Sequence, residues 1–219
     1  MFVIERRRFF ELAAAGVAAA FVVRTRHAFA ADPVRVTRKE ATVKRVDFDP
    51  RRPPRGMPTL TPPEAGVCHA EFGLDCGVGY SIEPVSPTAV KLFVDELDLI
   101  TLLDLTLYTQ VGSPPKLHAH EESHATIAQY YYKNAVRHAA AVGKAEIGKS
   151  YAGAGRDKKS AEQDGYQKII QSLTDAYMSR TRLRALAANN RFDDITQHGL
   201  NPTPEKDAIA KAIASDPEA

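Results

Sequence analysis

Three residues in the middle of the chain could together bind a metal ion and activate a water molecule. His120 and His124 are four positions apart, and Glu121 directly follows the first of them. On a helix, residues at this spacing lie on one face with their Cβ atoms about 5–6 Å apart, so both imidazoles can reach one zinc ion. Glu121 is then placed to take a proton from a water molecule beside that ion. The pattern predicts metal-assisted hydrolysis, but a catalytic zinc site needs a third ligand.

Two long helices are predicted to position these residues. Apolar residues at helical spacing predict a first helix over 119–142 and a second over 158–188 that ends at Asn189-Asn190. The Gly-rich stretch 143–155 is predicted to be a mobile connection. At about 1.5 Å per residue, helices of these lengths span roughly 35 and 45 Å. Antiparallel packing would therefore return the chain to the start of the first helix.

This return of the chain indicates a third metal ligand. The segment 191–199 follows the second helix, and His198 is its only histidine. Asp193 or Thr196 is a candidate to orient the His198 ring through its second nitrogen, although both residues could instead only cap a turn. Four other residues are poorer ligand candidates than His198. Tyr130 is a tyrosine, Glu146 lies in the Gly-rich stretch, His138 is distant along the first helix, and His118 lies at the rim of the site.

Strands are predicted before the first helix. The alternation of leucines with Asp104 and Thr106 predicts a strand over 98–110, preceded by another over 90–95. We expect 98–110 to be an edge strand, which could pair with an extended peptide substrate. Residues 31–48 alternate weakly, as in an edge strand or an extended arm. The expected fold class is α+β, with a short antiparallel sheet packed on two long antiparallel helices.

The first thirty residues have the organisation of an export signal. A basic segment that contains Arg6-Arg7-Arg8-Phe9-Phe10 precedes an apolar run over 13–23, and Ala28-Phe29-Ala30 is a cleavage site. The arginine pair resembles the twin-arginine transport motif. A membrane anchor is the alternative, but the apolar run is shorter than the roughly 20 residues that span a bilayer. We therefore expect cleavage near Ala30, a periplasmic or secreted mature protein, and only transient contact with the membrane.

Composition and charge limit the partners and suggest the domain boundaries. The chain of 219 residues has a net charge of +2. Residues 1–30 contribute +3, so the remaining residues carry a net charge of −1. A nearly neutral domain gives no reason to expect nucleic acid as a partner. Cys68 and Cys76 could form a disulfide after export. The predicted organisation is a signal peptide over 1–30, an extended Pro-rich segment over 31–66, the folded domain over 67–202 and a tail over 203–219, with a short helix over 207–214.

Two motifs together resemble a bacterial family of predicted secreted zinc-dependent proteases, a domain-of-unknown-function family. Its members combine a His-Glu-x-x-His helix with a downstream Tyr-Asp-x-x-Thr-x-His-Gly motif. The first is present at 120–124, and the second corresponds to 192–199, where Phe192 replaces the tyrosine. The resemblance covers roughly residues 67–202. It implies a zincin-like domain and a protein or peptide substrate.

The expected activity is that of an exported zinc metalloendopeptidase. His120, His124 and His198 are predicted to bind Zn²⁺, with one coordination position open for water. Glu121 is predicted to act as the general base. Two other functions fit the same residues: a non-catalytic zinc-binding envelope protein, and a zinc hydrolase that cleaves a cell-wall amide. The general base favours an enzyme, since a structural zinc site needs none.

Overall fold

A computed structural model describes residues 2–3, 32–60 and 64–216 of the chain. The predicted export signal lies outside the described residues, apart from the backbone of residues 2–3. In chain order the elements are β1 Phe2–Val3, β2 Val34–Arg38, β3 Thr42–Phe48, β4 Gly66–Ser86, β5 Ala89–Gln110, α1 Pro115–Tyr132, α2 Ala135–Glu146, β6 Ser150–Ala154, α3 Lys158–Arg180, α4 Arg182–Thr196 and α5 Glu205–Ala214.

A long β-hairpin forms the centre of the sheet. β4 and β5 pair antiparallel from Gly66↔Thr109 at one end to Ser86↔Ala89 at the turn. Along β5 nearly every second residue is buried, as expected for a strand with one face on the core. The prediction of two strands over 90–95 and 98–110 is wrong at its break, because β5 continues from Ala89 to Gln110. The predicted break coincides with a shift in register opposite Gly79 and Tyr80, where the alternation of buried residues skips from Val94 to Leu97.

Three short strands occupy the other edge of β5 in succession. β6 pairs with residues 89–93 of β5, β2 with 97–101 and β3 with 104–110. β2 and β3 run parallel to β5, as β1 does to β4, so three of the five pairings are parallel. The predicted edge strand 98–110 therefore has partners on both sides. The predicted fold class is also wrong: the arrangement is α/β, with a mixed sheet and several helices rather than a short antiparallel sheet on two long ones.

The two predicted helices are each divided. The first is interrupted after Tyr132, and α2 starts at Ala135. The second is interrupted at Thr181, whose hydroxyl donates to the carbonyl of Tyr177 at 2.8 Å. α4 then continues through Asn189-Asn190, so the predicted helix end there is wrong. Instead of a mobile loop, residues 143–155 contain the end of α2 and the strand β6.

The helices cover the sheet with a single apolar core. Leucines of β4 and β5 pack with Ile127 of α1, Ile169 and Leu173 of α3, and Phe192 of α4. The short helix predicted in the tail is confirmed as α5, of which Ala208 and Ala212 are fully buried. Within the part of the chain that the structure describes, no helix has the length and apolar character needed to cross a bilayer.

The two cysteines lie too far apart to form a disulfide. Cys68 and Cys76 are both on β4 and both are free thiols. Eight residues of extended strand span about 26 Å, whereas the Cα atoms of a disulfide lie within about 7 Å. The hypothesis of a bond between these two cysteines is therefore wrong.

Candidate metal centre

The His-Glu-x-x-His pattern lies on α1 with all three functional side chains buried. His120 is 2% exposed, Glu121 1% and His124 0%. Pro114 and Pro115 start the helix, where a missing N–H costs nothing. The predicted helical spacing places the Nε2 atoms of His120 and His124 3.2 Å apart. Both imidazoles can therefore reach one point in space.

A third ligand atom comes from α4. Asp193 Oδ1 lies 3.2 Å from Nε2 of His120 and 3.1 Å from Nε2 of His124. Ligand atoms about 2.0–2.1 Å from a tetrahedral zinc ion are separated by roughly 3.3–3.4 Å. The three atoms thus form one face of a tetrahedron of nearly this size. His120, His124 and Asp193 are a buried group that could hold a metal ion.

Hydrogen bonds fix which nitrogen of His124 carries its lone pair. Asn189 Nδ2 donates to the carbonyl of Ala185 at 2.8 Å, so its Oδ1 is the atom that accepts from Nδ1 of His124 at 2.7 Å. A neutral His124 then has its proton on Nδ1 and a lone pair on Nε2. That lone pair faces the Asp193 carboxylate at 3.1 Å. Two acceptors at this distance repel each other unless a cation or a proton lies between them.

Charge in the group also favours a cation. Burial raises the pKa of Asp193, but the imidazoles of His120 and His124 beside its carboxylate outweigh burial and hold that pKa well below the ordinary range. The Asp193 side chain is only 8% exposed, so its ionised form requires a positive partner. Nδ1 of His120 is buried and has no hydrogen-bond partner among the described residues; the carboxylate of Glu205 lies 3.9 Å away. The donor set fits a metal ion.

Glu121 lies beside this group and lines a cleft. Burial raises its pKa to about 7, and its Oε2 has no hydrogen-bond partner in the described part of the chain. A Cβ atom at Gly66 would lie 2.8 Å from Oε1 of Glu121, so only glycine leaves room for the carboxylate. The cleft has a volume of about 180 Å³ and is also lined by Arg45, Asp47, Leu107, Thr109, His118 and Glu122.

Phe192 supports both histidine rings from α4. Its ring stacks on His120 with centroids 5.0 Å apart and planes 25° apart, and it meets His124 edge-on at 5.1 Å. Phe192 is fully buried. The residue that departs from the family motif therefore holds the imidazoles in place by packing.

His198, the predicted third ligand, lies outside the group of three atoms. Its side chain is 58% exposed, and its Nδ1 is 3.8 Å from Asp193 Oδ1. Metal ligation by His198 stays a prediction. The hydroxyl of Thr196 donates to the carbonyl of Phe192 at 2.8 Å, so it is occupied within its own helix.

A left-handed turn after α4 sets the position of His198. Gln197, His198 and Gly199 have φ values of 49°, 54° and 79°. A Cβ atom at Gly199 would lie 3.3 Å from Cγ of His120, so this glycine combines a left-handed backbone with close packing on the imidazole. The turn thus closes over the first histidine.

Comparison of the chain with protein-family models, with curated proteins and with solved structures gave no match. The resemblance to the protease family stays a prediction that rests on the two motifs.

Asp193 and Asn189 are the functional residues that the sequence reasoning missed. From the sequence, Asp193 is a candidate to orient His198 or to cap a turn, and Asn189 marks a helix end. A signal was present, because Asn189, Asp193 and Thr196 follow one another at i, i+4 and i+7 and so lie on one helix face. Three polar residues on a buried face require partners, and the histidines of α1 supply them for two of the three.

Proposed function

We propose that the protein is an exported zinc-dependent peptidase. One observation carries the proposal: three ligand atoms lie 3.1–3.2 Å from one another, and the adjacent residue Glu121 has a buried carboxylate oxygen without a hydrogen-bond partner among the described residues. Structural zinc sites have no use for such a carboxylate, whereas hydrolytic sites need it as a general base. The export signal predicted over 1–30 would carry the enzyme out of the cytoplasm.

His120, His124 and Asp193 would hold the metal ion in this proposal. Two imidazoles and one carboxylate are a donor set that zinc accepts in catalytic sites, and three protein ligands leave one position open. A zinc ion bound there supplies a Lewis acid for water and for a carbonyl oxygen. Asn189 keeps His124 in the tautomer whose Nε2 lone pair points inward.

Glu121 would move the protons of the reaction. It accepts a proton from the attacking water and passes it to the amine that leaves the cleaved peptide bond. A base works best when its pKa is near the operating pH, and burial brings the pKa of Glu121 to about 7. The glycine at position 66 leaves the space that this carboxylate occupies.

A peptide substrate would lie along β3. The strand pairs with β5 on one side, and among the described residues no strand pairs with its other side. Arg45 and Asp47 of β3 line the same cleft as Glu121. An extended peptide added to this free edge would form main-chain hydrogen bonds and place a carbonyl near Glu121. β3 thus takes the role that was expected of residues 98–110.

The alternative is a non-catalytic zinc-binding protein, and the position of His198 favours it. Nδ1 of His198 is 3.8 Å from Asp193 Oδ1, so a small movement of the turn would make it a fourth ligand. Four protein ligands would fill the tetrahedron and leave no position for water.

Metal content and peptide cleavage, measured together, separate the two functions. We expect one zinc ion per chain in the wild type, in Glu121→Gln and in His198→Ala. Cleavage of a mixed peptide library should fall by roughly 10²–10⁴-fold in Glu121→Gln. Glu83→Gln is the matched control, because this exposed residue lies near the turn of the β4–β5 hairpin, far from Gly66 and the cleft, and we expect it to cleave at the wild-type rate. A wild type that binds zinc and cleaves no peptide, and that loses zinc in His198→Ala, would establish the non-catalytic function instead.

A further inference from the structure

A second cavity lies away from the metal centre, where α2 meets the junction of α3 and α4. Its volume is about 350 Å³, and it is lined by Arg137, His138, Ala141, Arg180 and Arg184. Cavities that bind small molecules have volumes of about 300–1,000 Å³. Three of the five lining residues carry a guanidinium, so the cavity is suited to an anion.

The two sequence segments that supply the lining of this cavity contain no acidic residue. Residues 133–145 contain two lysines and one arginine but no Asp or Glu, and residues 176–192 contain four arginines and no acid. α2 and α4 belong largely to these two stretches, and the end of α3 belongs to the second. The fold therefore brings together the basic parts of two segments that are distant in the sequence.

The guanidinium groups differ in how they are paired. Nε of Arg184 donates to Oδ2 of Asp216 at 2.8 Å, and the same oxygen accepts from the hydroxyl of Tyr131 at 2.8 Å. Arg137 and Arg180 are exposed and have no carboxylate partner within residues 32–60 and 64–216. One arginine thus already binds an anionic group, and the other two are available for a ligand.

We propose that this cavity binds a phosphate group. Three guanidiniums and the Asp216 carboxylate leave a net charge of +2, which matches the charge of −1.5 to −2 on a phosphate monoester at pH 7. The fork of N–H donors on each arginine matches the oxygens of phosphate in pairs. Arg137 approaches from α2 and Arg180 from the end of α3, so the donors converge from different elements. This proposed phosphate binding does not depend on the metal centre.

Titration of the full chain with inorganic phosphate tests the proposal. Isothermal titration calorimetry at constant ionic strength should give saturable binding with one site, and the double variant Arg137→Gln/Arg180→Gln should weaken it by at least tenfold. Arg156→Gln is the matched control, because this arginine is 91% exposed and lies outside the cavity. The control should bind phosphate as the wild type does. The two cavity arginines are exposed, so circular dichroism should show the double variant folded.

Further arms identify the source of the phosphate. Tighter binding of glycerol phosphate than of inorganic phosphate would indicate a soluble ligand, and co-sedimentation with vesicles that contain phosphatidic acid, lost in the double variant, would indicate a lipid headgroup; both support the proposal. A wild type without saturable phosphate binding would overturn it. Equal phosphate affinity in the wild type and the double variant, or binding of duplex DNA in the absence of phosphate binding, would overturn it as well.

Discussion

Glu121 and Glu146 are both buried carboxylates near the core, but their surroundings differ. Glu146 is 2% exposed, and it accepts hydrogen bonds from Lys149 at 2.7 Å, from Ser172 at 3.0 Å and from the hydroxyl of Tyr151. Glu121 is 1% exposed, and its Oε2 has no partner among the described residues. The fold satisfies the hydrogen-bonding capacity of the Glu146 carboxylate but not that of the Glu121 carboxylate.

The difference separates a structural group from a functional one. A satisfied carboxylate between α2, β6 and α3 ties those elements together. An unsatisfied one costs free energy, and a fold keeps it only where the group is needed. Nδ1 of His120 likewise lacks a hydrogen-bond partner in the described part of the chain. Four predictions test whether these two regions differ as stated.

The largest effect is expected at the ligand that α4 contributes. Asp193→Ala should weaken zinc binding by roughly 10³-fold, or about 4 kcal/mol, because it removes one of three ligand atoms and the charge that balances the ion. Competition with a chelator measures this affinity. Asp194→Ala is the control, because this neighbour is exposed and should leave zinc binding unchanged. Unchanged affinity in Asp193→Ala would exclude the proposed ligand set.

The next effect is a dependence of stability on pH that Glu121 causes in metal-free protein. Its pKa is raised by burial from 4.5 to about 7. Between these values the unfolded chain loses its proton first, so the free energy of unfolding falls as the pH rises. Below about pH 4.5 the effect is absent, and above about pH 7 it is complete, at up to about 3 kcal/mol.

Urea unfolding of the wild type and of Glu121→Gln, with a chelator present, measures this effect. Relative to the wild type, the variant should gain stability from pH 5 to pH 8, because glutamine does not ionise. A difference between the two proteins that is the same at both pH values would show that the Glu121 carboxylate is not held in an unfavourable environment.

Neutralising the satisfied carboxylate of Glu146 should change the free energy of unfolding in the opposite direction. Glu146→Gln should lower the free energy of unfolding by about 2 kcal/mol, because three hydrogen bonds to a charged group are weakened. Chemical denaturation at neutral pH measures it. Glu122→Gln, which removes only an exposed ion pair with Arg45, should lower the free energy of unfolding much less. If Glu146→Gln were as mild as this control, the contrast between the two regions would fail.

The smallest effect is expected from the residue that orients His124. Asn189→Ala should weaken zinc binding by about tenfold, because the imidazole loses the acceptor that fixes its tautomer. The adjacent Asn190→Ala, at an exposed position, should have no effect on the same measurement. A loss of stability without a loss of zinc affinity would mean that Asn189 acts only in packing.

The part of the site that depends on local spacing could be predicted from the sequence. His120, Glu121 and His124 are on one helix, so the spacing alone sets their relation. The return of the chain from a later helix to this turn was also predicted, and contacts between α1 and α4 confirm it. Asp193 was not recognised as a ligand atom, because which side of the returning helix faces the histidines depends on the break at Thr181.

The sheet was harder to predict than the helices. No proline or glycine marks the helix breaks near Lys133 and Thr181. β4 carries three glycines between residues 73 and 79, which resemble turns in the sequence but lie in a strand, where Gly73, Gly77 and Gly79 face Leu102, Asp98 and Glu96 across the hairpin. The parallel pairing of β2 and β3 with β5 joins residues about 60 positions apart, and no local pattern encodes it.

The separation of the cysteines along β4 has a consequence for where the chain can reach its native state. Both thiols are free, and the strand that carries them keeps them apart. Folding of the described residues therefore needs no oxidant and no disulfide isomerase. A reducing compartment is as suitable for it as an oxidising one, and treatment with dithiothreitol should leave the unfolding midpoint unchanged.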